Sequence, residues 1–405
     1  MKILHVVPWY EPAWKTGGTA VAVSILCRGL VAKGIDVTVY TTDDAGEKKY
    51  LDIPLNEPVE LGGVKVWYFH CDSFMKKKEA FYSSSLLKKL KSTVLKNFDL
   101  IHVSSTRHWH GFGVYRSTRD IPYIISPHGS LMESHIRTIG NKYLKLLYLH
   151  LVDARFIKGA VAINYLCEGE RQSSQNYSFD KPSFLVPNGI AINDFECVDI
   201  RVKLCDRYNV PRDSTLLLYL GRIHPQKNIH FVIEALNILK AKHKNVFLFI
   251  VGAISDQEYY QYLKHTVSNY KLDLNVKFFP PVKRDEVKSW YSISDLMVLP
   301  SESEGLSMSI IESLYASLPV LVSSRVANYR EIEADNAGIV VDPTQESVTE
   351  ALRTILVNPN LLKKLSQNAR KSAENRYDIN KVASLMIKAY EDVLSGRRSP
   401  ELKWM

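Results

Sequence analysis

The chain has 405 residues, 46% of them apolar and 23% charged, a composition that fits globular domains and excludes a disordered or fibrous protein. No apolar run reaches the roughly 18–20 residues that span a bilayer. Five scattered cysteines without a CxxC pair exclude a disulfide scaffold and predict reduced thiols. The net charge of +9 is uneven, with most of the excess in residues 1–190. Such a bias fits an anionic surface, a polyanion or a phosphorylated substrate, as well as plain solubility.

Short apolar runs alternate with helix-period stretches from end to end, which predicts parallel sheets covered by helices on both faces. The first run, 3–7, stops at Pro8 and reads as a strand rather than a secretory leader, so a cytoplasmic protein is expected. Lys15-Thr16-Gly17-Gly18-Thr19 follows, ahead of a helix at 20–33. Adjacent glycines let a ligand approach the backbone, and a helix N-terminus favours anions. Further strands are expected at 37–41, 64–69, 100–104, 123–126, 159–163 and 184–186. Residues 75–98 are basic: Leu86, Leu87, Leu90, Val94 and Leu95 share one side, ringed by Lys88, Lys89, Lys91 and Lys96. That pattern suits an interfacial helix, or a core-packed helix with a lysine-rich outer face. Arg107-His108-Trp109-His110 is a poor zinc site and reads as packing or acceptor contacts. Ser126-Pro127-His128-Gly129-Ser130 follows a strand, which makes His128 a candidate site residue.

The pattern resets at Pro187-Asn188-Gly189-Ile190, and a linker is expected from there to about residue 211. Strands then recur at 216–220, 246–251, 276–279, 296–299, 320–322 and 339–341. Gly221-Arg222-Ile223-His224-Pro225-Gln226-Lys227-Asn228 follows the first of them, so Arg222 and Lys227 share one loop at a strand's C-terminal edge. Two cations there can neutralise a diphosphate and the charge growing on a leaving group. After strand 296–299 come Glu304 and Glu312, eight positions apart, with Gly305 directly after the first. Helical spacing of Met308, Ile311, Leu314 and Tyr315 places Glu304 in a loop and Glu312 two turns into a helix. Carboxylates bind paired sugar hydroxyls and helix N-termini bind phosphate, so the segment suits a nucleotide-sugar. A last amphipathic helix is expected at 379–394.

The stretch at 300–321 resembles the E-x7-E signature of retaining GT-B glycosyltransferases, family 4 in particular. The loop from Gly221 to Lys227 is similar to that family's pyrophosphate-gripping G-R-x4-K. Gly17-Gly18, His128 and the Pro187–Ile190 turn also match in order. The resemblance implies two Rossmann-like doubly wound α/β domains facing a central cleft. Residues 1–195, with a crossover helix at about 379–396, would bind the acceptor, and 205–378 the nucleotide-sugar. It implies that Arg222 and Lys227 hold the diphosphate, Glu304 the sugar and Glu312 the ribose. Gly17, Gly18, Gly305, Leu306 and Ser307 would line the donor, His128 would lie near the anomeric centre, and Asn188 would belong to the hinge. The chain departs from the family at Ser307, at Ser317-Leu318 before Pro319-Val320, and at 326–331, where G-G-x-x-E is missing.

The expected activity is transfer of a hexose, with retention, from a UDP- or GDP-sugar to a glycan or lipid-linked glycan of a cell-surface polysaccharide. No DxD motif ends a strand, so metal independence is expected, and Asp43-Asp44 is no substitute. The basic first half allows a peripheral place on the anionic inner face of the cell membrane. Nucleic-acid binding is not expected, because basic and aromatic residues are not interleaved. Two alternatives stay open: a non-catalytic nucleotide-sugar-binding subunit and a GT-B sugar-nucleotide epimerase.

Overall fold

The computed structural model describes residues 1–46, 49–72, 82–118, 121–137, 142–191, 201–208 and 210–396. The chain divides into two compact units, Met1–Ile190 with Asp378–Met405, and Ala191–Tyr377. Among the described residues no helix is long and apolar enough to cross a membrane.

The first unit is built on eight strands: β1 Lys2–Val6, β2 Asp36–Thr42, β3 Pro58–Leu61, β4 Val64–Phe69, β5 Leu100–Ser104, β6 Tyr123–Ser126, β7 Ala162–Tyr165 and β8 Ser183–Leu185. Their order is β3-β4-β2-β1-β5-β6-β7-β8, parallel except for the β3–β4 pair. Runs such as β5 and β6 are buried at every position, as expected where helices cover both faces of a parallel sheet. Strand order reverses between β1 and β5, which opens a crevice at their carboxyl ends.

β3 was not anticipated from the sequence. It is an edge strand with alternating exposure and no apolar run. The signal was Gly62-Gly63, whose φ angles of +59° and +80° suit a two-residue hairpin turn. The strand expected at 159–163 begins later, at Ala162, because the helix Ala154–Gly159 runs up to it and Ala160-Val161 form the bend between them.

The basic stretch at 75–98 is corrected in part. Residues 73–81 lie outside the described residues. The helix Ser84–Leu90 turns Leu86 and Leu90 into the core, Leu95 follows them, and Leu87 packs on Gly113. Its apolar side therefore faces protein rather than lipid. Lys89 lies 3.7 Å from the centre of the Trp67 ring, a cation–π contact that binds the outer face too.

The helix Ile379–Leu394 completes this unit. Its amphipathic stripe buries Val382, Met386, Ala389, Tyr390 and Val393. Ile379 donates its N–H to the Ile190 carbonyl at 3.0 Å. Its side chain fills the space where Gly29 and Gly189 would otherwise carry a Cβ, 2.6 and 2.7 Å away.

The second unit has six strands, β9 Thr215–Leu220, β10 Val246–Val251, β11 Val276–Phe279, β12 Leu296–Leu299, β13 Val320–Ser323 and β14 Gly338–Val341. All are parallel, in the order β11-β10-β9-β12-β13-β14. The reversal lies between β9 and β12, where a doubly wound sheet binds ligands. The expected linker is partly helical: Arg201–Tyr208 forms a helix, and Arg201 grips both carboxylate oxygens of Asp295 at 2.8 and 3.0 Å.

Candidate active site

In the second unit the site grows from the carboxyl ends of β9 and β12. The chain leaves β9 through Gly221 and Arg222 and makes a 3-10 turn at Pro225–Lys227. His224 caps that turn, its Nδ1 accepting the Gln226 N–H at 3.3 Å. Asn228 then takes a left-handed φ of +51°. Its side-chain amide donates to the Pro300 carbonyl, just past β12, at 3.0 Å. The Glu302 N–H donates back to the Gln226 carbonyl at 2.8 Å. These two bonds tie the cationic loop to the carboxylate loop across the switch point.

The ties bring Lys227 and Glu304 into a direct ion pair, with side chains only 13% and 20% exposed. Glu304 is itself fixed from behind, its carbonyl accepting the Ala327 N–H at 2.9 Å. Arg222 stands beside them, exposed, and its guanidinium has no hydrogen bond or ion pair among the described residues. Leu306 is buried, and Ser307 begins the helix Met308–Tyr315 without capping it by its side chain. The Ser307 hydroxyl instead meets that of Ser309 at 2.9 Å.

Glu312 lies on that helix, 2% exposed. One carboxylate oxygen pairs with Arg284 and the other accepts the Tyr291 hydroxyl at 3.0 Å. Burial and the neighbouring Glu312 charge push the Tyr291 phenol far up, so it is a donor. The sequence reading missed both partners. They stand seven apart on the helix Arg284–Ile293, hence on one face, but nothing local ties them to Glu312.

The first unit holds the other candidates. Gly17 has a φ of +125° and open space where a Cβ would stand, and the helix Gly18–Ala32 starts directly after it. Past β6, His128 and Gly129 take successive positive φ angles of +51° and +80°. Buried Glu170 holds this turn, accepting the N–H groups of Gly129 at 2.5 Å and Leu166 at 2.7 Å. Desolvation raises its pKa to about 7. Asn188 is buried in the turn after β8.

His128 Nε2 lies 3.1 Å from the Ser104 hydroxyl, and His5 Nε2 lies 2.8 Å from the same oxygen. Burial lowers the pKa of His128 to about 4 and of His5 to about 3, the latter helped by His128 and His110, so both are neutral near pH 7. His5 stacks on His102 with ring centres 4.3 Å apart. His102 bridges the Tyr390 hydroxyl and the Ser126 hydroxyl, both at 2.7 Å. Asn164 continues the chain, donating to Ser126 at 2.9 Å and accepting the Val186 N–H at 2.8 Å. The polar core thus runs from the last helix to the residue before the Pro187 turn.

The 107–110 cluster is engaged with protein groups. His110, 2% exposed, bonds the Ser104 carbonyl at 2.9 Å, and His108 stacks against it. Asp153, fully buried, accepts the Arg107 N–H at 2.9 Å, and burial raises its pKa to about 7. Asp43 and Asp44 are engaged with His70, the Cys71 N–H and the Trp9 indole.

Two family models match the chain. Residues 16–194 match the model "Glycosyltransferase Family 4", and residues 203–372 match "Glycosyl transferases group 1". An uncharacterised glycosyltransferase of Methanocaldococcus jannaschii is 25% identical, over 96% of this chain and 98% of its own length. An Escherichia coli protein named UDP-Gal:alpha-D-GlcNAc-diphosphoundecaprenol alpha-1,3-galactosyltransferase is 24% identical, over 77% of this chain and 82% of its own. Among solved structures, Anabaena HepE in complex with UDP superposes with a TM-score of 0.76 at 15% identity, covering 97% of this chain and all of that one. That likeness shows the shared fold.

Proposed function

The chain belongs to the glycosyltransferases of GT-B fold, family 4 in its first half and group 1 in its second, and from that premise we propose that it is a retaining hexosyltransferase using a nucleotide-diphospho-sugar. The observation that carries this reading is the Lys227–Glu304 pair at the β9–β12 switch point, with unengaged Arg222 beside it. Arg222 and Lys227 take the diphosphate. An ammonium has three donors, so Lys227 can keep Glu304 while it binds a phosphate oxygen. Glu304 then faces the sugar hydroxyls and Glu312 the ribose, with Gly305, Leu306 and Ser307 along the donor. In the first unit, Gly17, Gly18 and His128 are the candidate substrate contacts.

In the transfer, the bond from C1 to the diphosphate oxygen breaks and one from the acceptor oxygen forms on the same face. The acceptor's proton passes to the departing phosphate. Such a step needs positioning and charge stabilisation rather than an enzymic nucleophile or a metal. Uridine donors are favoured, since a relative's name and a structural neighbour's ligand are both uridine nucleotides.

For the acceptor we infer a lipid-linked glycan. Support comes from Tyr143, Leu144, Leu147 and Leu151, which are 73%, 64%, 55% and 60% exposed and share one helical face of the first unit. Basic Arg137, Arg155 and Lys158 are exposed nearby in sequence. An exposed apolar face with exposed basic residues close to it in sequence suits an anionic bilayer.

Thermal shifts with UDP-, GDP- and ADP-sugars test the donor assignment. A ligand that binds only folded protein raises the melting temperature by mass action. One donor should shift the wild type and fail to shift Arg222→Ala. No shift with any donor, well above usual affinities, would sink the transferase reading in favour of a non-catalytic one.

A further inference from the structure

The Lys227 ammonium touches a carboxylate oxygen of Glu304, and both side chains keep a small open face. Neither backbone is free to withdraw. The Asn228 amide holds the Pro300 carbonyl and the Glu302 N–H holds the Gln226 carbonyl, so the two loops separate only if both bonds break. Glu304 is also bridged in parallel to Val326, beside the bond from the Ala327 N–H. A diphosphate that reaches Lys227 therefore meets a carboxylate fixed on the far side of the same ammonium. The two anions repel each other and compete for three N–H groups. The rest of the loop charge does little to offset this. His224 adds no full charge at pH 7, since burial and the Arg222 guanidinium lower its pKa. Arg222 and Glu302 are exposed, where water and salt screen them.

A nucleotide-sugar and the nucleoside diphosphate it leaves behind differ at this point. The first brings sugar hydroxyls, which can hydrogen-bond to the Glu304 carboxylate and disperse its charge. The second brings none. It also carries about one negative charge more, because its terminal phosphate is no longer an ester and loses its second proton at about pH 6. Glu304 is compensated in one complex and opposed in the other.

We propose that Glu304 discriminates against the free nucleoside diphosphate, so that the carboxylate which holds the sugar also drives off the product once the sugar has gone. This rests on the reading of Lys227 as a diphosphate ligand and Glu304 as a sugar contact. When the sugar leaves, the ammonium turns back to Glu304 and the phosphate loses part of its grip. Competition for Lys227 and direct repulsion act in the same direction, so the sign of the effect does not depend on which is larger.

Calorimetric titration with UDP, GDP and ADP, and with the sugar ester of whichever binds the wild type best, reads the discrimination at equilibrium. Glu304→Gln should bind that diphosphate on the order of tenfold more tightly than the wild type and bind its sugar ester more weakly. Glu304→Ala, which removes the charge without placing an amide on Lys227, should tighten the diphosphate as well and stands in if the first variant fails to fold. Glu302→Gln makes the same charge change on the same loop without touching Lys227, and should stay within about twofold of the wild type. Unchanged or weaker diphosphate binding in folded Glu304 variants, or equal tightening in Glu302→Gln, overturns the proposal. Unchanged diphosphate binding in Lys227→Ala, or no binding of any of the three by the wild type, overturns instead the functional reading on which it rests.

Discussion

At the scale of single residues, burial sets protonation, and protonation sets the acid limit of the fold. His5, His102, His110 and His128 are buried neutral, each with a pKa depressed chiefly by desolvation. For an imidazole this means stability present above the unfolded value near 6.5 and lost as pH falls below it. Asp153 and Glu170 act oppositely, since burial raises both to about 7 and the folded chain holds their protons longer. Four groups outweigh two, an excess of about two protons taken up on unfolding near pH 5, or ~3 kcal/mol per pH unit. Denaturant titrations should therefore show stability rising from pH 5 and levelling near pH 7, and a flat profile would contradict the neutral histidines. Little of this was legible in the sequence. Arg222, Lys227, Glu304 and His128 could be singled out because each follows a strand end. Arg284, Tyr291, Asp153 and Glu170 could not, because each has a partner 21 to 46 positions away and only the packed chain joins them.

At the scale of elements, one close backbone approach holds the loop that starts at Gly221. The end of β10 comes so close to the end of β9 that a Cβ on Gly252 would stand 1.9 Å from the Gly221 carbonyl oxygen, with φ already at +156°. Both atoms are part of rigid strand ends, so neither a rotamer change nor a small shift relieves the clash. Gly252→Ala should cost more than about 3 kcal/mol and displace Arg222 with the loop. The melting temperature should fall and the donor-induced shift should vanish; retention of that shift would show that the loop does not depend on Gly252. Most strands were legible because a parallel sheet buried on both faces leaves near-continuous apolar runs. The exceptions follow from the same rule. β3 is an exposed edge strand with no such run, and the apolar Ala160-Val161 ahead of β7 form a bend rather than strand. The lysine-ringed helix at Ser84–Leu90 had the periodicity of either an interfacial or a core helix, and only packing decides between them.

At the scale of the whole molecule, charge and exposed apolar surface both concentrate in the first unit. Vesicles containing anionic lipid should float the protein at low salt, and Leu147→Asp with Leu151→Asp should abolish flotation without lowering the melting temperature, since both side chains are more than half exposed. Failure of the wild type to float would remove the membrane from the account and leave a soluble acceptor. The order of synthesis carries a further consequence. The first unit includes the helix Ile379–Leu394, which follows the whole of the second unit in sequence. While a ribosome is still making residues 191–377, the earlier residues have no Ile379 against Gly29 and no Tyr390 against His102. The second unit, contiguous in sequence, can close first. During growth the protein therefore passes through a period in which its amino-terminal sheet waits, uncovered along that helix's groove, for this later-made segment to seal it.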